Sequence, residues 1–341
     1  MSLKLTVVDQ SPVPGKAHPL SPVALSAELA KACDTWGYSR YWVAEHHNSG
    51  NFAGPAPEIL ISHIASITER IRVGSGGVML PHYSPYKVAE QFRLLETLFP
   101  NRIDLGIGRA PGGDGLASHA LAFPDSPSHE DNYAQQAMLL KAFLDKSVPS
   151  EHPYHDLRVM PDDAPTPEMW MLGSSGGSAS LAGHVGMNMA LALFIGPEDR
   201  PVSIVDEYEA AWRETGHPGD PQSMIAISAV CAETEEQAAL IASSQAYWKV
   251  MAFRHGIREP LNSPEDALNL KAKLSLSDQA YFDETLASVV HGTVDQCHDR
   301  LQALATRYRT DELALVTVTY DFEDRLDSYR RLAQPFNLAD K

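Results

Sequence analysis

Residues 71–100 read IRVGSGGVMLPHYSPYKVAEQFRLLETLFP, and this stretch holds one complete strand–helix unit. Ile71–Leu80 is a short apolar run of strand length, and Ser84-Pro85 is a typical helix start with proline in the first turn. The predicted helix then carries apolar residues on one face: Val88, Phe92 and Leu95. The stretch therefore predicts a buried strand followed by a helix that packs against it.

The same alternation recurs along the whole chain. Near-continuous apolar runs indicate strands that are buried on both faces, as in a parallel sheet. Eight such runs are present: Leu3–Val8, Tyr41–Ala44, Ile71–Leu80, Arg102–Ile107, Met169–Leu172, Met189–Phe194, Met224–Val230 and Leu313–Thr319. Nearly all are followed by a helical segment, which predicts an α/β fold, a (β/α)8 TIM barrel with insertions at its C-terminal face. A doubly wound open sheet is the alternative, because counting strands does not prove that the sheet closes.

The composition fits one large globular domain over residues 1–341. The chain of 341 residues is 44% hydrophobic, and it is longer than the ~250 residues of a typical TIM barrel. Its 27 Lys and Arg against 44 Asp and Glu give a formal net charge of -17, which disfavours nucleic acid and anionic membranes as partners. The N-terminus has no apolar signal segment, and no run of ~18 apolar residues is present. We therefore expect a cytoplasmic protein without a membrane span.

Two stretches are longer than ordinary loops. Gly112–Pro167 contains a predicted helix near Glu130–Leu144 and a polar, proline-rich part at Glu151–Pro167. Arg254–His291 lies between the last two predicted strands and is charged and punctuated by prolines. In a barrel, both stretches would lie over the C-terminal face, where loops build active sites.

Acid–base side chains follow the second predicted strand, which ends Tyr41-Trp-Val-Ala-Glu45-His46-His47-Asn48. The C-terminal tip of a barrel strand is where TIM barrels do their chemistry. Adjacent residues on an extended chain point opposite ways, so His46 and His47 are poorly placed to chelate one metal ion. The alternative interpretation is a buried, satisfied Glu–His pair with a loop histidine beside it.

Glycines interrupt the third and fourth predicted strands. Gly76 and Gly77 lie within an otherwise apolar run, where they indicate a bulge or the close approach of a ligand or another backbone. The fourth strand ends in Gly106-Ile-Gly108-Arg109. Small residues there admit a flat ring, and Arg109 is a bidentate donor suited to phosphate or carboxylate. A purely structural bulge is the alternative for the glycine pair.

A Gly/Ser loop, Gly173-Ser174-Ser175-Gly176-Gly177-Ser178, connects the fifth predicted strand to a helix. It brings free N–H groups, hydroxyls and a helix dipole together, which favours phosphate binding. It lacks the GxxxxGK[ST] lysine of an NTPase P-loop. A serine-rich helix N-cap without a ligand is the alternative.

Other reactive residues give weaker indications. His152, His155 and Asp156 resemble a metal-ligand cluster, but no distant third partner is evident, and we assign no metal ligands. The cysteines are odd in number, widely spaced and without a CxxC motif, which argues against disulfides and a zinc site: Cys33, Cys231 and Cys297.

Four motifs, in their order along the chain, resemble the bacterial-luciferase-like flavin monooxygenase family: Ala44–His47, Gly74–Pro81, Gly106–Gly112 and Gly173–Ser178. The resemblance is closest to the single-chain luciferase-like oxidoreductases. It implies a TIM barrel that binds FMN at its C-terminal mouth, with His46 beside the reactive face of the flavin. It also implies a non-prolyl cis peptide at Gly76–Gly77 and phosphate binding by three residues: Arg109, Ser175 and Ser178.

The expected cofactor site also includes Glu45, Gly108, Ser174 and Gly176. Gly108 stands where luciferase has a cysteine beside the flavin, and Ser174 stands where one phosphate contact is a glutamate. These two departures bear on light emission and on flavin affinity. The resemblance further implies that Arg254–His291 is a mobile active-site loop and that the protein is a homodimer.

The resemblance implies a two-component flavin monooxygenase. Reduced FMN, delivered by a separate NAD(P)H:flavin reductase, would react with O2 to give a C4a-hydroperoxide that oxidises a small apolar organic substrate. His46 would handle protons in this reaction. Two alternatives use the same barrel: a hydride-transferring oxidoreductase that uses the deazaflavin F420, and a non-catalytic flavin-binding protein. For a metal-dependent hydrolase the sequence offers no ligand set.

Overall fold

The structure of the protein, a computed structural model, describes residues 3–127, 131–336 and 338. Within these residues ten strands follow one another: β1 (Lys4–Asp9), β2 (Arg40–Val43), β3 (Arg72–Ser75), β4 (Val78–Met79), β5 (Ile103–Gly108), β6 (Glu168–Gly173), β7 (Asn188–Ala192), β8 (Ser223–Cys231), β9 (Val290–Gly292) and β10 (Glu312–Val316). A 3-10 turn at Leu80–His82 follows β4.

Helices separate most of the strands. In the same described ranges there are twelve α-helices: α1 (Pro22–Trp36), α2 (Pro57–Ser66), α3 (Pro85–Leu98), α4 (Gly115–Ala122), α5 (Tyr133–Leu144), α6 (Gly176–Val185), α7 (Ser203–Thr215), α8 (Glu235–His255), α9 (Pro264–Lys271), α10 (Leu276–Ser288), α11 (Val294–Tyr308) and α12 (Phe322–Ala333). The helix predicted near Glu130–Leu144 is confirmed as α5, and residue 130 lies outside the described residues.

The sheet closes into a barrel of eight parallel strands. Strand β1 pairs with β2 on one side and with β10 on the other, and β10 also pairs with β8. The circuit β1-β2-β3-β5-β6-β7-β8-β10 is thereby complete, while β4 and β9 each add a short pairing at its rim. Closure confirms the predicted (β/α)8 TIM barrel and excludes the doubly wound open sheet.

Residues alternate between the interior of the barrel and the layer beneath the helices. On β1, Leu5 and Val7 belong to the large outer cluster between strands and helices, whereas Val8 packs inside the barrel. Two tryptophans fill the interior, Trp42 and Trp170, whose rings meet edge to face at a centroid distance of 5.3 Å. This alternation is why the predicted runs are apolar at nearly every position: both faces of each strand are buried.

The N-terminal end of the barrel is closed by a buried ion network around Arg40. Its guanidinium lies 2.9 Å from a carboxylate oxygen of each of three acids on neighbouring strands: Asp104, Glu168 and Glu312. The indole N–H of Trp42 donates to Asp104 at 2.8 Å. Charges and large side chains therefore fill this end of the barrel.

The third predicted strand, Ile71–Leu80, is wrong as one continuous element. Strand β3 ends at Ser75, the peptide bond between Gly76 and Gly77 is cis, and the chain resumes as β4. The pairing changes at this point: β3 pairs with both β2 and β5, whereas β4 pairs only with β5. The glycines supply no side chains that would pack a continuous strand, as expected for a bulge-like break.

The stretch Arg254–His291 is mostly helical rather than a loop. Helix α8 continues to His255, and α9 and α10 follow it and pack on it through an apolar cluster: Ala246, Tyr247, Val250, Ala267 and Phe282. Arg254 pairs with Asp278 of α10. Only residues 256–263 connect α8 to α9, and the expected mobility of the stretch stays a prediction.

Candidate active site

A cavity of about 650 Å³ opens at the C-terminal ends of the barrel strands. Its wall includes residues that follow β2, β5, β6 and β7, together with one side of α8. Eight of the predicted site residues line it: His46, Gly76, Gly77, Gly108, Arg109, Ser174, Ser175 and Ser178. Four motifs that are far apart in the sequence are thus brought together around one space.

His46 forms one wall of the cavity. Its ring packs on Phe52 at a centroid distance of 4.5 Å and an angle of 38°, and its backbone N–H donates to the carbonyl of Gly54. Burial, together with the positive charges of the nearby His47 and Arg258, lowers the pKa of His46 to about 4. The imidazole is therefore neutral at pH 7, and its buried Nδ1 has no hydrogen-bond partner among the described residues.

Glu45 lies behind this wall and does not line the cavity. Its fully buried carboxylate accepts hydrogen bonds from His47 Nε2 at 2.7 Å, the Tyr83 hydroxyl at 2.8 Å and the Met79 N–H at 3.0 Å. The satisfied Glu–His pair considered from the sequence therefore exists between Glu45 and His47. Because successive residues alternate in direction, His46 is left facing the cavity.

Glycines keep the neighbouring wall thin. A Cβ atom at Gly77 would lie 2.9 Å from the Gly106 carbonyl oxygen, and one at Gly76 would lie 3.1 Å from Trp42 Cβ. At Gly108 a Cβ would meet only the Met79 side chain, at 3.6 Å. The wall beside His46 is therefore bare backbone against which a flat ring can lie closely.

The opposite end of the cavity is suited to an anion. Ser175 is the N-cap residue of α6 and makes no side-chain cap hydrogen bond, and its Oγ lies 3.4 Å from Ser178 Oγ. The first N–H groups of a helix have no partner within the helix, and the helix dipole adds positive potential. Arg109 follows β5, which pairs with β6, and its side chain is 60% exposed and lies 3.3 Å from Asp131.

Gly176, predicted as a cofactor residue, does not line the cavity. A Cβ atom at this position would lie 2.0 Å from the Glu207 carboxylate on α7. That carboxylate is the end of a flexible, exposed side chain that can move aside, so packing does not require glycine here. Gly176 has no side chain to bind a cofactor, so it can contribute through its backbone at the start of α6.

Five residues of α8 line the cavity, none of which the sequence analysis singled out, and three of them carry polar side-chain atoms: Gln245, Trp248 and Lys249. Lys249 is only 3% exposed, and burial lowers its pKa to about 8. Spacings of three and four residues place these side chains on one helix face. That spacing was visible in the sequence, but no signal there showed that the face of α8 points into the barrel mouth.

The charges around the cavity are opposite to those of the chain as a whole. The net charge is -17, yet the lining contains no aspartate or glutamate and includes three cationic residues: Arg109, Lys249 and Arg258. Such a wall favours anionic ligands, because a bound anion meets positive charge, part of which the Asp131 carboxylate beside Arg109 offsets.

The remaining sequence features do not form a second centre. Across residues 3–127, 131–336 and 338, no group of three or more His, Cys, Asp or Glu side chains could hold a metal ion. His155, from the predicted weak cluster, bonds the Val148 carbonyl through Nδ1 at 2.7 Å. A search of the same residues finds no helix of sufficient length and apolarity to cross a membrane.

Comparison with known proteins agrees with the barrel and with its motifs. Residues 3–311 match the luciferase-like monooxygenase family, and the chain belongs to this family. It is 41% identical to the uncharacterized protein YwcH of Bacillus subtilis, over 98% of this chain and 99% of that one. The crystal structure of apo-MsnO8 is similar with a TM-score of 0.85 and 37% identity, covering 98% of this chain and 99% of that chain.

Two more distant structures share the fold and contain different cofactors. The oxygenating constituent of 3,6-diketocamphane monooxygenase from Pseudomonas putida, in complex with FMN, has a TM-score of 0.74 at 18% identity and covers 100% of this chain and 99% of that one. An F420-dependent secondary alcohol dehydrogenase, in complex with an F420-acetone adduct, has a TM-score of 0.70 at 15% identity, with coverage of 98% and 99%. The fold is therefore compatible with either cofactor.

Proposed function

We propose that the protein is an FMN-dependent monooxygenase that uses reduced flavin and O2 to oxidise a small organic substrate. The observation that carries this proposal is the cavity itself: an anion-binding end joins a thin glycine wall and a neutral, buried histidine. Membership of the luciferase-like monooxygenase family supports the same reaction class.

The residues of the cavity fit FMN. Arg109, Ser175, Ser178 and the first N–H groups of α6 would hold the phosphate, and the backbone of Gly76, Gly77 and Gly108 would lie against the ring. Bound reduced flavin supplies the activation of O2 that the side chains of this protein lack. FMN carries one phosphate, and the N-terminus of α6 offers one site for it at this end.

His46 is the residue that we propose for proton handling. A neutral imidazole can both donate and accept a proton, and its buried Nδ1 has no partner among the described residues that would fix its protonation. Its packing against Phe52 fixes the ring and keeps water from one of its faces. Glu45 acts only indirectly, because it binds His47 and anchors Met79 and Tyr83 behind the wall.

The partners follow from the same proposal. A two-component enzyme of this kind receives its reduced FMN from an NAD(P)H:flavin reductase, and we propose such a reductase as the functional partner, with no stable complex required. We also propose a homodimer of single-domain subunits in the cytoplasm. Hydride transfer with F420 is the competing function, which the F420-bound structure of the same fold keeps open.

Affinity measurements for three cofactors separate these functions. Oxidised FMN, anaerobically reduced FMN and F420 are each titrated into the protein and followed by ultrafiltration. We expect saturable binding of reduced FMN, tighter than that of F420. Saturable binding of F420 without binding of reduced FMN would overturn the proposal in favour of hydride transfer.

A second measurement tests whether bound flavin performs an oxygenation. The protein is mixed with FMN, NADH and a flavin reductase under 18O2, together with an extract of small cellular metabolites, and the products are examined by mass spectrometry. We expect a product that carries one 18O atom and is absent when the protein is left out. Flavin binding without any such product would leave only a flavin-binding protein.

A further inference from the structure

We propose that one face of α8 forms a second anion-binding subsite in the cavity, where Lys249 and Trp248 bind a carboxylate of the substrate. The inference rests on the proposed function and narrows its substrate class: an organic molecule with an apolar body and a carboxylate head. The subsite is built from three side chains of α8: Gln245, Trp248 and Lys249.

Lys249 is the strongest element of this subsite. Its side chain is almost fully buried, and its Nζ donates to the Phe194 carbonyl at the end of β7. Among the described residues no carboxylate affects its pKa, which burial alone lowers. A buried ammonium group that is not paired is costly, and an anion beside it removes much of that cost.

Two polar side-chain atoms of α8 residues close to Lys249 in sequence have no hydrogen-bond partner among the described residues. Among the described residues, neither the buried Nε1 of Trp248 nor the buried Oε1 of Gln245 has a hydrogen-bond partner. The Gln245 amide nitrogen, by contrast, donates to Ser228 Oγ at 3.3 Å, which fixes the side chain. A buried polar atom without a partner costs about 1–3 kcal/mol, so such atoms are normally satisfied. A carboxylate at Lys249 would accept from Trp248, and Gln245 offers an acceptor for a neighbouring donor group.

The subsite differs in position from the proposed phosphate site. Arg109 follows β5 and the Ser174–Ser178 loop follows β6, whereas Lys249 contacts the end of β7 and Gln245 contacts β8. The depths differ as well: the Arg109 side chain is 60% exposed, whereas Lys249 is 3% exposed. One phosphate group therefore does not account for both cations.

The wall around the subsite is apolar, which defines the body of the ligand. The lining near α8 is made of small and aromatic side chains: Ala192, Phe194, Ala226, Ala252, Phe253 and Phe52. Apolar surface contributes affinity by burial, and the single charged contact fixes orientation. The substrate would thus present its carboxylate to α8 and its apolar part to the middle of the cavity.

Calorimetric titration of two fatty-acid derivatives tests this subsite without flavin. Octanoate and the neutral octanamide have the same chain length and differ in charge at the head. We expect Lys249→Met to weaken octanoate binding at least tenfold and to change octanamide binding less than twofold. Lys273→Met, at an exposed position, is the matched control and should change neither, and circular dichroism confirms that each variant is folded.

The pH dependence in the unaltered protein gives a second test, which needs no variant. Octanoate should bind with constant affinity from pH 6 to 7 and lose affinity steadily above about pH 8, as free Lys249 loses its charge. The other titratable groups that line the cavity are His46, which is already neutral, and arginines, which stay charged. Octanamide should show no such loss.

Three outcomes would decide against the subsite. Octanoate affinity that is unchanged in Lys249→Met would overturn it, and so would octanoate affinity that does not fall above pH 8. Loss of FMN binding in Lys249→Met with octanoate binding retained would assign the lysine to the flavin site. If the unaltered protein binds octanoate, Lys249→Met weakens this binding and no flavin binds, the subsite stands and the proposed function fails.

Discussion

Adjacent residues after β2 have separate tasks because their side chains point in opposite directions. His46 faces the cavity, whereas Glu45 is fully buried and bonds His47, Met79 and Tyr83 behind it. The sequence motif predicted chemistry at this strand end, but both carboxylate and imidazole were expected at the cofactor. The hydrogen bonds of Glu45 show that it supports the cavity wall from behind. The spacing of residues along the sequence does not reveal these partners, because Met79 and Tyr83 are distant from Glu45 in the chain.

Replacement of His46 by alanine tests its role in proton handling. We expect FMN affinity within twofold of the unaltered protein, because the phosphate end is untouched. The yield of 18O-labelled product should fall at least tenfold while hydrogen peroxide rises, since proton transfer by a placed residue contributes roughly 10²–10⁴-fold. Peroxide is measured with a peroxidase dye, and exposed His119→Ala serves as control. An unchanged product yield in His46→Ala would remove this residue from the mechanism.

The buried His46 also predicts how stability depends on pH. Its pKa of about 4 lies below the value of 6.5 in an unfolded chain, so the unfolded state binds the proton more readily between these pH values. The free energy of unfolding therefore decreases as the pH falls from about 6.5 to about 4. At pH 4.5 the loss from this group is roughly 2–3 kcal/mol relative to pH 7.

Urea unfolding at pH 7 and at pH 4.5 measures this effect. His46→Gln, which does not titrate, should lose roughly 2–3 kcal/mol less than the unaltered protein between the two pH values. His119→Gln should behave like the unaltered protein. Equal pH losses in His46→Gln and in the unaltered protein would show that His46 is not buried in its neutral form.

At the scale of elements, the close approach of β5 to its neighbours shapes the cavity wall. A Cβ atom at Gly106 would lie 2.1 Å from the Ser75 carbonyl oxygen and 2.8 Å from Leu172 Cδ1. The Ser75 hydroxyl further donates to the Gly106 carbonyl at 2.7 Å. The glycine therefore lets β3 and β5 meet directly below the cavity.

Two glycine-to-alanine variants form a matched pair for this contact. Gly106→Ala should lower the free energy of unfolding by about 3 kcal/mol or more, because overpacking a strand contact forces the backbone to move. Gly177→Ala, in the first turn of α6, meets nothing within 4 Å and should be neutral or slightly stabilising. Thermal unfolding followed by circular dichroism measures both, and equal stability of the two variants would contradict this packing.

Six of the eight predicted strands match the observed bounds to within two residues, and the run Leu313–Thr319 extends three residues beyond the end of β10. The run Met224–Val230, for example, is found as β8 at Ser223–Cys231. The predicted Ile71–Leu80 strand failed because hydrophobicity does not record a change of pairing partner at Gly76–Gly77. Strand β9 was missed because a strand of three residues has no detectable period.

At the scale of the whole molecule, the charged side chains that stabilise the barrel and those that suit ligand binding lie at opposite ends of it. The buried acids Asp104 and Glu312 are paired with Arg40 at the N-terminal end of the barrel, where they close it. The C-terminal cavity contains cations but no carboxylates. Composition predicted an acidic surface, but it could not predict a cationic cavity, because the order of residues along the chain does not show which side chains converge.

A comparison of FMN with riboflavin tests whether the cavity binds a flavin through its phosphate. FMN and riboflavin, which differ only in the phosphate, are titrated into the unaltered protein and into Arg109→Met, with flavin fluorescence as the signal. We expect FMN to bind at least tenfold more tightly than riboflavin, and Arg109→Met to remove most of this difference. Equal affinity for FMN and riboflavin in the unaltered protein, or no saturable binding of either, would contradict this expectation.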